Sequence, residues 1–130
     1  MGSELAKNPT GKLAVFNKDA IGDLISPLIK EIHLFDSHVA GTFHLEDKSV
    51  LESVTVGTEL SLLREENPYD ANAILILNAE KKKIGYVPKR DNVIFARLMN
   101  AGKLLKAKVT KVEPRENYVW IAVGIYLVDL

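Results

Sequence analysis

The sequence predicts a mainly β fold with helices: a small antiparallel β-barrel of about six short strands, one helix inserted among them and an amphipathic helix ahead of them. Three observations carry this expectation. Apolar or alternating runs of strand length recur from Leu34 to the end of the chain, each bounded by Gly, Pro, Asn or Asp. Within that region one stretch, residues 92–100, has helical spacing. The other connections are turns, whereas a parallel α/β sheet would need repeated helical crossovers.

Residues 1–12 are polar, contain Gly and Pro, and read as a flexible tail. Residues 13–33 read as a helical extension. In it Ile21, Leu24, Ile25, Leu28, Ile29 and Ile32 follow the helical period, predicting an amphipathic helix over 19–32. Pro27 should kink it, because proline removes a backbone donor and crowds the preceding turn. Its expected role is to cover an open end of the barrel, with partner docking as the alternative. The barrel itself is assigned to residues 34–130.

In that domain residues 34–45 are strand-like, with Gly41 as a bulge or a close backbone approach. Gly57-Thr58 introduces a strand over 59–64, and the apolar run 73–77 suggests a strand buried on both faces. Lys81-Lys82-Lys83 marks a turn before a short strand at 84–87. Asp91 is placed to cap the helix at 92–100, whose apolar side is Val93, Ile94, Leu98 and Met99 with Phe95 flanking, and Gly102 stops it. Leu105, Ala107 and Val109 alternate with Lys106, Lys108 and Thr110 in a half-buried strand. Pro114-Arg115-Glu116-Asn117 turns the chain into a last strand over 118–128.

A chain of 130 residues holds one domain and a short extra element. The absence of cysteine excludes a disulfide scaffold and a thiolate zinc site, and fits a reducing cytoplasm. Residues 1–13 lack the apolar core of a signal peptide, and no apolar run approaches the ~20 residues that span a bilayer. A cytoplasmic protein without membrane contact is expected. Net charge is zero but unevenly spread: residues 81–115 carry eleven Lys/Arg against Asp91 and Glu113, and residues 36–70 carry eight acids against Lys48 and Arg64. Such segregation makes either two solvated faces or a local field for phosphates.

Catalytic and metal chemistry finds little support. His33, His38 and His44 have no zinc spacing. No glycine-rich loop ends in Lys-Ser/Thr, which excludes a P-loop NTPase. The adjacent pairs Glu65-Glu66 and Glu46-Asp47 would point to opposite faces of a strand. No metal, no cofactor and no enzymatic activity are expected.

The segment Asn67-Pro68-Tyr69-Asp70-Ala71-Asn72-Ala73-Ile74 is different. Asn, Asp and Pro suit a turn, but turn chemistry does not require the tyrosine. An exposed aromatic beside a carboxylate and amides suits stacking on a base and hydrogen-bonding a sugar hydroxyl. Phe43, Tyr86, Tyr118 and Trp120 add further aromatics. Together with Val39-Ala40-Gly41-Thr42-Phe43-His44, Gly57, Arg64, Ile84-Gly85-Tyr86-Val87-Pro88 and the stretch 92–98, this segment makes the chain resemble a HIRAN domain over roughly residues 36–130.

The resemblance implies an OB-like barrel. In eukaryotes the module sits at the N-terminus of a fork-remodelling ATPase and captures the 3′-hydroxyl end of single-stranded DNA; bacterial chains can carry it with little else. It implies that Asn67, Tyr69 and Asp70 line the DNA pocket. Thr42-Phe43 stands where those members have Arg-Tyr, so Phe43 can stack while the arginine's contact is missing. Tyr86 replaces a histidine and Lys89 lies near a lysine position, whereas Asn72 is read as closing the turn. The expected function is a non-catalytic, monomeric binder of single-stranded DNA ends in repair or fork processing, beside a separate helicase or nuclease. A protein-interaction module using the same Tyr-Asp turn and the N-terminal helix is the alternative.

Overall fold

The last strand, Val119–Asp129, shows what builds the domain: Ile121, Val123 and Ile125 alternate along it and are each no more than 1% exposed. They meet Leu60, Ile74, Ile76, Ile84 and Ala107 of the other strands in one apolar core. Full burial of such a side chain contributes about 1.5–3 kcal/mol, so the period-two pattern fixes which face of each strand turns inward. A computed structural model describes residues 29–129, within which Glu31–Asp129 forms one unit.

Among the described residues the elements in order are β1 (Lys30–His38), two 3₁₀ turns (Thr42–His44 and Lys48–Leu51), β2 (Glu59–Arg64), β3 (Ile74–Leu77), β4 (Lys83–Tyr86), α1 (Asn92–Asn100), β5 (Leu104–Pro114) and β6 (Val119–Asp129). They form a mainly β domain: one six-stranded sheet in the order β1-β6-β5-β2-β3-β4, with one short helix. The β2–β3, β2–β5, β3–β4 and β5–β6 pairs are antiparallel, as hairpins and turns allow, with Leu62 opposite Ile76, Leu60 opposite Ala107 and Lys108 opposite Gly124.

The chain beyond β1 reaches the other end of this sheet. Val39 N–H donates to the Ile121 carbonyl of β6 at 2.9 Å. The next residue, Ala40, exchanges two hydrogen bonds with Tyr86 of β4, at 2.8 and 2.9 Å. The close backbone approach expected at Gly41 occurs instead at Gly85, opposite this bridge. A β-carbon on Gly85 would lie 2.4 Å from Val39 Cγ1 and 2.5 Å from the Ala40 carbonyl oxygen. Gly41 has φ of 84° with open space around it, and it ends the extended run by turning the chain into the first 3₁₀ turn.

Other expectations are corrected. Residues 30–32 belong to β1 rather than to the end of a helix; Glu31 pairs with Lys106 and Lys108, and His33 packs its ring on Tyr126, contacts that hold them extended. The rest of the expected amphipathic helix and the tail lie outside the described residues. Helix α1 has its expected bounds, and Leu98 and Met99 pack on the core as expected, but its first turn faces differently. Asn92, Phe95 and Ala96 are buried while Val93 and Ile94 are exposed, because Phe95 packs towards Phe35 and Asn92 turns to the β2–β3 turn. Asp91 does not cap; it accepts the Ser37 hydroxyl at 2.9 Å. Gly102 does stop the helix: it donates to Met99 and Lys103 donates to Leu98, both at 3.0 Å, the paired bonds of a Schellman ending.

Candidate nucleic-acid interface

The turn between β2 and β3 is held from below by Arg64, the last residue of β2. Its guanidinium donates to the carbonyls of Ala71 at 2.8 Å, Ala73 at 2.5 Å and Glu65 at 3.2 Å, and its Nε donates to Asn100 Oδ1 at 3.0 Å. The planar fork of an arginine suits several fixed acceptors at once. Its half-buried charge therefore organises backbone.

Asn67 closes the turn from within. Its Oδ1 accepts from the backbone N–H of Tyr69 at 2.9 Å and of Asp70 at 2.8 Å, while its Nδ2 donates to Glu65 Oε1 at 3.0 Å. The turn-closing role expected of Asn72 thus falls to Asn67, whose position two and three residues ahead of those amides is what an Asx turn needs. Asn72 contributes its backbone N–H, which donates to Asp70 Oδ1 at 2.9 Å. The other oxygen of Asp70 accepts from Asn92 Nδ2 at 2.8 Å.

This scaffold lifts the Tyr69 side chain away from the protein: the residue is 88% exposed. Lys89 follows β4 and donates from Nζ to the Tyr69 carbonyl at 3.3 Å. Tyr86 donates its hydroxyl to Glu65 Oε1 at 2.9 Å, and Lys83 Nζ lies 4.5 Å from the centre of its ring. Of the seven residues singled out in the sequence, hydrogen bonds link Asn67, Tyr69, Asp70, Tyr86 and Lys89 into one cluster, through Glu65. Phe43 lies elsewhere, 57% exposed, with its ring 4.1 Å from His44 and 6.3 Å from Tyr118. Thr42 is buried, 3% exposed, and its hydroxyl donates to the Val119 carbonyl at 3.2 Å, so it anchors the Phe43 turn instead of presenting a contact.

Three further residues belong to the cluster: Arg64, Glu65 and Asn92. Asn92 is 1% exposed, and its Oδ1 has no hydrogen-bond partner among the described residues. A buried acceptor without a partner costs about 1–3 kcal/mol. The signal that could have found it is a polar residue opening a helix whose next two residues are apolar.

Both carboxylates of the cluster are held below their ordinary pKa. For Glu65 the cause is the Asn67 amide and then the Tyr86 hydroxyl; for Asp70 it is the Asn72 backbone N–H, with Asn92, Lys89 and Arg64 adding to it against partial desolvation. A depressed folded pKa contributes stability that is present above the unfolded value and is lost as pH falls through the folded one. The turn should therefore be unchanged between neutral pH and about pH 5 and loosen only below about pH 4. Amide exchange at Tyr69, Asp70 and Asn72 followed by NMR would register this; loosening already at pH 6 would contradict it.

The basic segment is less free than its composition implies. Lys106 pairs with Glu31 and Glu59, Lys108 with Glu31, and Lys111 and Arg115 with Glu113. Lys83 and Lys89 stand at the turn, next to Arg90, which is exposed and lies 3.8 Å from Asp91 Oδ1. The histidines go to separate places: His33 to Asp36, His38 stacked on Trp120 at 4.4 Å, and His44 against Phe43. Among the described residues no group of three His, Asp or Glu is placed to hold a metal ion, and no helix is long and apolar enough to cross a membrane.

The pattern of this framework has a name. The HIRAN domain profile matches residues 32–128. The chain belongs to the HIRAN domain family. Two solved structures resemble this HIRAN domain. A protein from Lactobacillus plantarum is 26% identical with a TM-score of 0.73, the match covering 78% of this chain and 99% of that one. The HIRAN domain of human HLTF is 20% identical with a TM-score of 0.60, over 75% of this chain and 78% of that one; at this identity the likeness is one of fold. No curated protein matches the chain. The HIRAN match begins inside β1, so the strand that enters the sheet is part of the family's fold.

Proposed function

We propose that this HIRAN domain is a non-catalytic module that binds single-stranded DNA at its 3′-hydroxyl end. On this reading the sheet curls into a small OB-like barrel closed by the Ala40–Tyr86 bridge, and the chain works beside a separate helicase or nuclease. The observation that carries the reading is the braced turn: an 88% exposed tyrosine ring next to a fixed carboxylate, with a lysine behind it. The ring offers a face to a terminal base. Asp70 is ionised at neutral pH, and each of its oxygens receives one hydrogen bond, leaving lone pairs for a sugar hydroxyl. A phosphate in the same place would be repelled. Lys83, Lys89 and Arg90 are the cations available for the backbone of the strand, and Phe43 with Tyr118 offers aromatic faces across the bridge.

Fluorescence anisotropy with labelled ten-mers tests this. A hydrogen bond to a charged group is worth about 1.5–3 kcal/mol, so a 3′-hydroxyl end should bind at least roughly tenfold more tightly than a 3′-phosphate end. Asp70→Ala should shrink that difference, because acceptor and repulsion vanish together, and Asp70→Asn should fall between. With about two to three cations engaged, log affinity against log salt should have a slope near −1.5 to −2. A blunt duplex bound as tightly as the single strand, or equal affinities for the two ends, would refute the reading. Absence of all oligonucleotide binding would leave the same turn as a protein-interaction surface.

A further inference from the structure

Asn92 opens helix α1, yet it is not used as a helix opener. Its side chain caps nothing at the start of the helix, and Asp91 before it makes no capping bond. The amide instead reaches across to the β2–β3 turn, where Nδ2 donates to Asp70 Oδ2 at 2.8 Å. That is its one hydrogen bond among the described residues, and Oδ1 remains without a partner while the residue is 1% exposed. For stability alone this is a poor use of a buried position, since an apolar side chain of similar volume would leave no orphaned acceptor.

What the arrangement provides is direction. Asp70 Oδ1 is held by the Asn72 backbone within the turn, and Oδ2 is held by Asn92 from a separate element. Two donors from different directions fix the plane of the carboxylate. The far end of α1 reaches the same turn, because Asn100 accepts from Arg64, whose guanidinium holds the Ala71 and Ala73 carbonyls. We infer that Asn92 is a positioning residue that aims the Asp70 carboxylate at the sugar end of the bound strand, so that the start of α1 is part of the recognition site. This rests on the end-binding function proposed above. Asn92 touches no ligand itself; it acts through Asp70.

The test uses the full chain, with Asn92→Leu and Asn92→Ala compared with wild type. Asn92→Leu keeps the branched shape and carries neither donor nor charge, so it removes the bond without opening a cavity or placing a second carboxylate beside Asp70. Asn78→Ala serves as the control for a loosened fold. Asn78 is equally buried, at 2% exposed, but it bonds the Val50 carbonyl and the amides of Glu80 and Lys82, away from the β2–β3 turn. Each protein is titrated at neutral pH with hydroxyl-ended and phosphate-ended ten-mers, and the Asp70 carboxyl carbon is titrated by NMR without DNA. Both Asn92 variants should lose most of the roughly tenfold preference for the hydroxyl end, with affinity for the phosphate-ended strand not reduced, and the Asp70 titration midpoint should move upward. Asn78→Ala should melt earlier and keep the preference. A wild-type preference surviving in Asn92→Leu would overturn the inference alone, as would an equal loss of preference in Asn78→Ala or an unmoved Asp70 midpoint. Equal affinities for the two ends in the wild type would instead overturn the end-binding function beneath it.

Discussion

Tyr69→Ala should weaken binding of a single-stranded ten-mer tenfold to a hundredfold, the ~1–3 kcal/mol that base–aromatic stacking contributes per base. The fold should hardly notice. Among the described residues Tyr69 is tied to the protein by its backbone: its N–H donates to Asn67 and its carbonyl accepts from Lys89, while its ring and hydroxyl make no hydrogen bond or ring contact. Truncation keeps those backbone bonds, so unfolding free energy should shift by about half a kcal/mol at most. Tyr69→Phe should retain most of the affinity because the ring face remains. Anisotropy and a denaturant melt on the same three proteins decide the matter. A large loss of stability without a binding defect would assign the ring a packing role instead.

Gly85→Ala should be the most destabilising single-methyl change in the domain. The added carbon would sit 2.4 Å from Val39 Cγ1 and 2.5 Å from the Ala40 carbonyl oxygen. That oxygen is also the acceptor of the Tyr86 N–H at 2.9 Å, so it cannot retreat without breaking the bridge. Overpacking against a fixed partner typically costs about 1–3 kcal/mol, and here the upper part of that range is expected, lowering the melting temperature by roughly 10 °C or more. Binding should fall as well, since the bridge sets Tyr86 against the chain that leads to Phe43. Calorimetry showing a melting temperature within 2–3 °C of wild type, under about 1 kcal/mol for a domain this size, would mean that the sheet ends separate easily.

The strands were legible because alternation survives at each of them: Leu105, Ala107 and Val109 point inward as their spacing implied, at 3%, 0% and 2% exposure. The bounds of α1 were legible from its period and from Gly102, but its orientation was not. Val93 and Ile94 look like core and face solvent, while Asn92 looks like surface and is buried. A periodicity counts apolar residues and is blind to a polar one recruited inward by a distant carboxylate. The β2–β3 turn stood out because Tyr69 served no turn geometry. Its support did not, because Arg64 acts on the carbonyls of Glu65, Ala71 and Ala73, and backbone acceptors leave no trace in side-chain identity. The same blindness concealed Thr42, whose hydroxyl is spent on the Val119 carbonyl. Charge counting along the chain overstated the free positive field, since the acids that neutralise β5 come from β1 and β2 and from Glu113 on β5 itself.

Strand β1 lies beside β6, and the ring pairs His33–Tyr126 and His38–Trp120 show the two running in opposite directions. Within the unit Glu31–Asp129, Glu31 and Val128 therefore lie at one end of this strand pair. The Ala40–Tyr86 bridge lies nine residues beyond Glu31, which at the rise of an extended chain is roughly 30 Å away. Entry and exit of the domain thus share one pole, and the tyrosine-bearing turn is tied to the strand that reaches the other. Such a layout makes the module portable: it can be spliced into a loop of a larger protein, or joined to one at either terminus, with the pole opposite the junction left free. It also predicts that a circularly permuted form, with 129 linked to 31 through a few glycines and new termini cut in the turn at residues 79–81, would fold and keep its ligand.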